Sequence, residues 1–223
     1  MTLHINASIE RWPVEGHFTI ARGAKKFVDL LVVTVSDGTH VGQGEGTAIY
    51  YRGETAEECA RQIAQVTDII AVHTIPMARA LLQSKLPPGA ARNALDCALW
   101  DLEAKQTGQR LWELVGMKSP PVPLETAFTI SLGTPDAMHA DARDAAANGY
   151  SLLKLKLNGD ADRDRVAAVR AGAPKARIIV DANESWGDVD IVAEAEILKT
   201  LGVAMIEQPL PAGRDAALAN LSA

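Results

Sequence analysis

Three short apolar runs decide the fold: LLKLKL at residues 152–157, RIIVD at 177–181 and VAMIE at 203–207. A shorter run, Ala127-Phe128, comes before them, and a helical pattern follows each of the four. The polar residues that end the runs lie 27, 25 and 26 positions apart: Thr129, Lys156, Asp181 and Glu207. That interval is the length of one strand, one helix and two short loops. The pattern therefore predicts successive βα units of a parallel sheet or barrel.

The ends of these strands are the predicted functional region. Parallel strands all end at the same edge of their sheet, and in (β/α) barrels that carboxyl-terminal face carries the active site. A lysine and two carboxylates would then meet there, which is the outline of a catalytic site. We therefore predict an enzyme of the α/β class.

The rest of the chain predicts a different architecture. Strands are expected at 2–10, 27–35 and 40–47, the last two joined by the hairpin turn Ser36-Asp37-Gly38. Helices are expected at Glu54–Val72, capped by Thr55, at Gly89–Lys105 and at Leu111–Leu114. Prolines 120, 121 and 123 predict a stiff linker. The expected domains are an N-terminal α+β capping domain at 1–118 and a partial (β/α) barrel at 124–223.

The βα pattern stops after its fourth strand. A closed barrel has eight strands, so about 100 further residues would be needed to complete one. We expect the 223 residues to represent about two-thirds of a protein.

Composition excludes several functional classes. Of the residues, 48% are hydrophobic and 22% are charged, and the net charge is −6 without a basic run. This argues against nucleic acid or an anionic membrane as a partner. The first ten residues lack the apolar core of a signal peptide, so we expect a cytoplasmic protein.

Lys154 and Lys156 alternate with leucines, which places both lysines on one face of their strand. Two neighbouring ammonium groups disfavour each other's charge, which would lower a lysine pKa toward that of a useful general base. The alternative is a half-exposed strand that carries two solvated lysines.

Asp181 and Glu207 end neighbouring strands, and together they predict a carboxylate site for a hard divalent cation. Mg²⁺ fits best, because it needs few protein ligands and leaves positions open for substrate. For Asp181 the alternative is a cap on the following helix. Arg22, between the first two strands, is a weaker candidate for binding an anionic substrate; the alternative is a solvated loop arginine.

Several longer motifs extend over most of the chain, and with them it resembles the enolase superfamily, specifically the dipeptide epimerases that interconvert L-Ala-D-Glu and L-Ala-L-Glu. The stretches that carry the resemblance are Ile20-Ala-Arg-Gly, Gly42-Gln-Gly-Glu, Tyr51-Arg-Gly-Glu-Thr, the run from Ala90 to Leu102, Thr129-Ile-Ser, Lys154-Leu-Lys, Asp181-Ala-Asn-Glu-Ser-Trp and Glu207-Gln-Pro-Leu-Pro. The order K-x-K, D-A-N and E-Q-P, one βα unit apart, is specific to the superfamily.

The resemblance implies a role for each candidate. Lys156 would be the acid/base on one face of the substrate α-carbon, and Lys154 would tune it and help to bind the substrate carboxylate. Asp181 and Glu207 would be two of three Mg²⁺ ligands. Thr129 would contact substrate, and Arg22 would pair with its side-chain carboxylate. The substrate would be a dipeptide of peptidoglycan peptide metabolism.

The resemblance also implies residues on later barrel strands that the sequence lacks: a third metal carboxylate on the fifth strand, a lysine for the opposite face on the sixth and an Asp-x-Asp motif on the eighth. We therefore expect little or no epimerase activity from this chain alone. Three alternatives within the superfamily stay open, namely cycloisomerase, o-succinylbenzoate synthase and N-acylamino-acid racemase. A non-catalytic fragment is a fourth alternative, and homo-oligomerisation is left open.

Overall fold

The computed structural model describes residues 2–20 and 23–220 of the chain. They form two compact units, one of Met1–Pro13 with Phe27–Val122 and one of Val14–Lys26 with Pro123–Ala223. We refer to these as the first unit and the second unit. The division differs from the predicted domain ranges 1–118 and 124–223 in that residues 14–26 group with the second unit.

An antiparallel sheet contains the first three strands in the order β1 (His4–Ile20), β2 (Gly23–Ser36) and β3 (Val41–Thr47). The pairing of β2 with β3 runs from Leu30↔Thr47 to Ser36↔Val41, so the predicted hairpin forms. Strand β1 extends ten residues beyond the predicted end at residue 10.

Four helices follow in the first unit: α1 (Ala56–Ala71), α2 (Ile75–Lys85), α3 (Ala90–Thr107) and α4 (Leu111–Leu114). Thr55 caps α1 as predicted, because its hydroxyl accepts a hydrogen bond from the backbone N–H of Glu58 at 3.1 Å. The sequence analysis did not predict α2. The apolar stripe of α3 is fully buried, from Ala91 to Leu102.

Strand β3 packs closely on α3 because alternate residues of the strand are glycines. A Cβ atom added to Gly42, Gly44 or Gly46 would lie between 2.0 and 2.4 Å from a backbone carbonyl oxygen of α3. Real side chains do not approach backbone that closely. Only glycine therefore permits this packing.

The second unit contains the predicted run of βα units. Its elements are β4 (Phe128–Ile130), α5 (Pro135–Ala147), β5 (Leu152–Lys156), α6 (Asp162–Gly172), β6 (Arg177–Asp181), α7 (Ile191–Thr200) and β7 (Val203–Glu207). The four strands form a parallel sheet in the order β4-β5-β6-β7. All four strands lie where the apolar runs predicted them.

Leucines of β5, together with Leu157 directly after it, build the core of the second unit. Leu153, Leu155 and Leu157 are fully buried and belong to one apolar cluster with Val166 and Val169 of α6. The lysines occupy the other positions of the strand, because successive side chains of a strand point to opposite faces. No helix within the described ranges combines the length and the apolarity needed to cross a membrane.

Candidate metal and acid–base site

The strand register places the predicted site residues side by side. Lys156 pairs with Asp181 across β5 and β6, and Asp181 pairs with Glu207 across β6 and β7. Thr129 of β4 pairs with Lys154. In parallel pairing, partner residues point to the same face, so four strands bring their polar side chains to one surface.

The two lysines and the two carboxylates form one connected network. The ammonium of Lys156 donates to Asp181 Oδ2 at 2.7 Å. The ammonium of Lys154 lies 3.1 Å from the same oxygen and 2.6 Å from Glu207 Oε2. One positive charge therefore contacts both carboxylates at once.

This network lies largely out of solvent. The Asp181 side chain is 2% exposed and the Lys156 side chain 10%, whereas Glu207 is 38% exposed. Phe18, which groups with this unit, places its ring centroid 5.9 Å from the Lys156 ammonium. The alternative of two solvated lysines is therefore wrong for Lys156.

Interactions inside the network shift the pKa values of two members. Burial lowers the pKa of Lys154, but hydrogen bonds to Glu207 and Asp181 outweigh it, and the net pKa is raised. Burial raises the pKa of Asp181, but hydrogen bonds from Lys156, from the backbone N–H of Asn183 and from Lys154 produce a net lowering. The sequence had led us to expect a depressed lysine pKa. Lys154 does not have a depressed pKa, because the carboxylates lie close enough to stabilise its charge.

Asp181 does not cap the following helix, which was its alternative role. Helix α7 begins ten residues later, at Ile191, and its N-terminal backbone N–H groups donate to the side chain of Asp190. The second oxygen of Asp181 accepts from the backbone N–H of Asn183 at 2.9 Å. Asp181 is therefore held by its own loop and remains directed at the lysines.

Beyond Asp181 and Glu207, the loops that follow β6 and β7 remain joined by backbone hydrogen bonds. Three bonds continue the ladder past the end of the strands: Ala182 N to Glu207 O at 3.1 Å, Glu184 N to Gln208 O at 2.7 Å and Trp186 N to Pro209 O at 2.9 Å. The two metal-ligand candidates therefore sit on a continuous hydrogen-bonded scaffold.

These loops also contain unusual backbone conformations. Asn183, Glu184 and Gln208 have φ values of 47°, 67° and 44°. Residues with a side chain rarely adopt positive φ, and such conformations gather at functional sites because the surrounding structure must hold them. The sequence carried no signal for this strain.

The chemistry of these residues fits Mg²⁺. Two carboxylates on adjacent strands share one cation in the structure, the Lys154 ammonium, so a positive charge already lies between them. Asn183 Oδ1 is buried and has no hydrogen-bond partner among the described residues. No group of three or more His, Cys, Asp or Glu side chains suited to a metal occurs within residues 2–20 and 23–220. Asp181 and Glu207 are thus two candidate carboxylate ligands.

The remaining predicted residues are placed differently. Thr129 is half-buried and lines a groove of about 940 Å³ together with Ser131 and Tyr150. Arg22 lies outside the described residues, so its assignment stays a prediction.

Sequence reasoning missed Asp162, which is buried and joins the two loops that follow Lys156 and Asp181. An aspartate near the start of a helix is common and usually serves as a cap. The sequence offered no sign that this one would contact Trp186, which is 24 residues away.

Two protein families match the chain. Residues 4–116 match the mandelate racemase / muconate lactonizing enzyme N-terminal domain, and residues 137–223 match the enolase C-terminal domain-like family. The first match alone covers half of the chain.

An individual relative supports the same family. The L-Ala-D/L-Glu epimerase of Escherichia coli (strain K12) is 43% identical over 211 residues, which are 95% of this chain and 64% of the relative. This chain therefore spans a little under two-thirds of that protein's length.

Solved structures agree with this comparison. An enolase family member from Agrobacterium tumefaciens with homology to dipeptide epimerases, bound to sodium and L-Ala-L-Glu, superposes with a TM-score of 0.90 and 45% identity, over 99% of this chain and 66% of that one. A dipeptide epimerase from Methylococcus capsulatus, complexed with Mg and L-Arg-D-Lys, superposes with a TM-score of 0.87 and 30% identity, over 100% of this chain and 65% of that one. On these matches and on the fold, the chain belongs to the mandelate racemase/muconate lactonizing enzyme family of the enolase superfamily.

Proposed function

We propose that the chain contributes to the Mg²⁺-dependent epimerisation of L-Ala-D/L-Glu-type dipeptides, with Lys156 as an acid/base. The observation that carries this proposal is the shared network in which Lys156 and Lys154 contact Asp181 and Glu207 at the carboxyl edge of the sheet. The relatives that resemble this chain over nearly its full length supply the substrate class.

The reaction begins with loss of the proton on the carbon next to the substrate carboxylate. Lys156 in its neutral form accepts this proton, and the substrate is left as an enediolate. Returning a proton from the other face gives the epimer, whereas returning it from Lys156 restores the starting isomer. Lys156 is buried beside Asp181, where its amine is held in one orientation.

Asp181 and Glu207 are the assigned metal ligands. Mg²⁺ held there would supply Lewis-acid stabilisation of the negative charge that develops on the substrate carboxylate. Lys154, between the two carboxylates in the structure, would then be available to the substrate carboxylate. A dipeptide epimerase from Methylococcus capsulatus complexed with Mg supports the choice of metal.

The substrate contacts extend beyond the metal. Thr129 of β4 is the register partner of Lys154 on β5 and would contact the bound dipeptide. Arg22 would pair with the side-chain carboxylate of a glutamate residue, for which a guanidinium offers two parallel donors.

Lys156 serves one face of the α-carbon. Epimerisation needs a second acid/base on the opposite face, and none of the described residues is assigned to it. One base on one face exchanges the α-proton with solvent but does not invert the carbon. We therefore expect deuterium incorporation with retention and little inversion from this 223-residue chain.

The test is incubation of the protein with Mg²⁺ and L-Ala-L-Glu in D₂O, followed by NMR of the glutamate α-proton and chiral analysis of the product. Lys156→Ala should reduce the exchange rate at least about 100-fold, the lower end of the effect of a general base. Lys175→Ala removes an exposed lysine of the same unit and is the matched control.

Metal binding is measured separately, by calorimetric titration of Mg²⁺ and by the EPR signal of Mn²⁺ as its substitute. Glu207→Gln should weaken both, whereas Lys156→Ala should retain them. Exchange that survives Lys156→Ala, or a wild-type protein that neither binds the metal nor exchanges the proton, would contradict the proposal.

A further inference from the structure

A second group of buried polar side chains lies beside the candidate site without being part of it. Asp162 is 6% exposed and Trp186 is 1% exposed. Asp162 is the first residue of α6 and directly follows the loop after Lys156 (residues 157–161, the β5–α6 loop). Trp186 lies in the loop that follows Asp181 (residues 182–190, the β6–α7 loop).

Asp162 organises its own loop. Its Oδ1 accepts from the backbone N–H of Asn158 at 3.1 Å, and its Oδ2 accepts from that of Gly159 at 2.8 Å. The guanidinium of Arg165 lies 3.3 Å from Oδ1. The residue before it, Ala161, has a φ of 48°, a conformation that side-chain-bearing residues rarely adopt. The carboxylate thus holds together a tight turn that the backbone alone would disfavour.

The same carboxylate reaches the other loop. The indole N–H of Trp186 donates to Asp162 Oδ2 at 2.9 Å, and both side chains are buried. The two loops also touch at Gly159, where an added Cβ would lie 3.2 Å from the carbonyl oxygen of Ser185. A charged acceptor in a buried setting makes stronger hydrogen bonds than an exposed one.

Both loops begin at residues of the candidate site. The backbone N–H of Leu157, the first residue of the β5–α6 loop, donates to the carbonyl oxygen of Asp181 at 3.0 Å. The strands are therefore joined just past Lys156 by this bond, and the Asp162–Trp186 pair joins the loops a few residues further on. Two connections on one side of the site resist a relative shift of Lys156 and Asp181.

We propose that Asp162 and Trp186 are positioning residues: their buried hydrogen bond clamps the β5–α6 loop to the β6–α7 loop and so holds the Lys156 amine in place against Asp181. The positioning role rests on the proposed function, whereas the clamp between the loops does not. Neither residue touches the lysine or the metal carboxylates through its side chain in the contacts described above.

The decisive variant is Trp186→Phe, which keeps an aromatic ring in the core but removes the donor. Asp162→Asn is the second variant; it keeps the shape and removes the charge. Asp160→Asn, an exposed acid in the same loop, is the matched control for the aspartate, and Trp12→Phe, an exposed tryptophan of the first unit, is the control for the ring.

The first measurement is amide hydrogen–deuterium exchange by mass spectrometry, resolved to peptides of the two loops. Trp186→Phe changes only the β6–α7 loop in sequence, yet we expect faster exchange at Asn158 and Gly159 in the other loop. Neither control should change the exchange of that peptide. Unchanged protection of the β5–α6 loop in both Trp186→Phe and Asp162→Asn would overturn the clamp.

The second measurement is the kcat and KM of α-proton exchange in D₂O, with Mg²⁺ affinity alongside. Loss of a supporting residue around a metal site costs about 10- to 100-fold in activity or metal affinity. We expect kcat to fall at least about 10-fold while KM changes less than about twofold. A purely structural role would lower the melting temperature and leave kcat per folded molecule unchanged, and that result would overturn the positioning role. If the wild-type protein shows no exchange and no Mg²⁺ binding, the proposed function and the positioning role fail together, and the amide exchange still decides whether the clamp exists.

Discussion

The two units bury different kinds of side chain. In the first unit the core consists of apolar residues and the glycine-lined contact of β3 with α3. In the second unit the core is equally apolar, but four charged residues are buried as well: Lys156, Asp162, Asp181 and Glu194. All the buried charged residues of the described ranges lie in the second unit.

The difference shows what each unit contributes. Burying a charge costs free energy unless partners compensate for it, so a unit built only for stability would avoid it. The second unit retains buried charges at the carboxyl ends of its strands, where Lys156 and Asp181 compensate each other. In the first unit, β3 is instead packed to backbone contact with α3.

The strongest test of this comparison removes one member of the buried network. Asp181→Asn leaves the ammonium groups of Lys154 and Lys156 with Glu207 as the remaining carboxylate of the network. We expect the free energy of unfolding to fall by about 3 to 5 kcal/mol, since unpaired buried charges are costly. Urea denaturation at pH 7 with EDTA measures this.

Asp188→Asn, an exposed acid of the following loop, is the control and should have little effect. Adding Lys156→Met to Asp181→Asn should recover part of the lost stability, because Asp181 is the carboxylate that Lys156 contacts, whereas Lys154 keeps Glu207. If the free energy of unfolding fell as little for Asp181→Asn as for the control, the network would not be buried as described.

The matching test of the first unit is Gly44→Ala. Its Cβ would lie 2.0 Å from the carbonyl oxygen of Ala94 and 2.6 Å from the backbone nitrogen of Ala98, so that strand and helix must separate. We expect a loss of about 3 kcal/mol, the upper end for overpacking. Gly133→Ala is the control, since its Cβ would be at an ordinary 3.6 Å from Ala137 and Met138. It should be neutral or stabilise by about 0.5 kcal/mol, and equal effects for the two variants would exclude the close packing.

A third test asks whether local rules act equally in both units. Thr55 caps α1 in the first unit, and Thr134 caps α5 in the second by accepting from the backbone N–H of Ala137 at 3.3 Å. Thr55→Ala and Thr134→Ala should each cost about 1 kcal/mol in thermal denaturation. Serine at either position should restore the cap. If only one of the two alanine variants lost stability, helix capping would contribute differently in the two units.

The smallest effect concerns Asp37, in the hairpin turn of the first unit. Hydrogen bonds from the backbone N–H of His40, from the Gln106 side chain and from the backbone N–H of Thr39 lower the pKa of this carboxyl group. A lowered folded-state pKa adds stability above the unfolded-state pKa of about 4, and that stability is lost as the pH falls toward the folded value.

Wild type should therefore exceed Asp37→Asn in stability at pH 7, and the gap should shrink as the pH is lowered from about 5 to 2. Denaturation curves of both proteins across that range measure it. A gap that does not vary with pH would show that the turn does not depend on the charge.

Much of the fold could be predicted because it depends on periodicity. The alternation in LLKLKL assigns leucines to one face of β5 and lysines to the other, and the structure confirms that the leucines are buried in the core. The repeat near 26 residues located β4 to β7 to within a few residues. Helix α2, with the sequence IPMARALLQSK, was not predicted.

The candidate site could be predicted only in part. The grouping of Lys154, Lys156, Asp181 and Glu207 followed from strand ends, since a parallel sheet aligns them. The raised pKa of Lys154 could not be predicted, because the sequence does not show that Glu207 Oε2 lies 2.6 Å from its ammonium. The bond of Asp162 to Trp186 was also absent from the prediction.

The amino-acid sequence by itself determined most of the strands and helices, the apolar face of β5 and of α3, and which polar residues end the parallel strands. These are local properties, set by side-chain size, polarity and spacing. Tertiary structure alone decided that one ammonium bridges two carboxylates, that Asp181 turns away from the next helix, and that a tryptophan reaches an aspartate 24 positions earlier. Such contacts form only when strands and loops that are far apart in the sequence are placed to within a few tenths of an ångström. No pattern within a single segment encodes that placement.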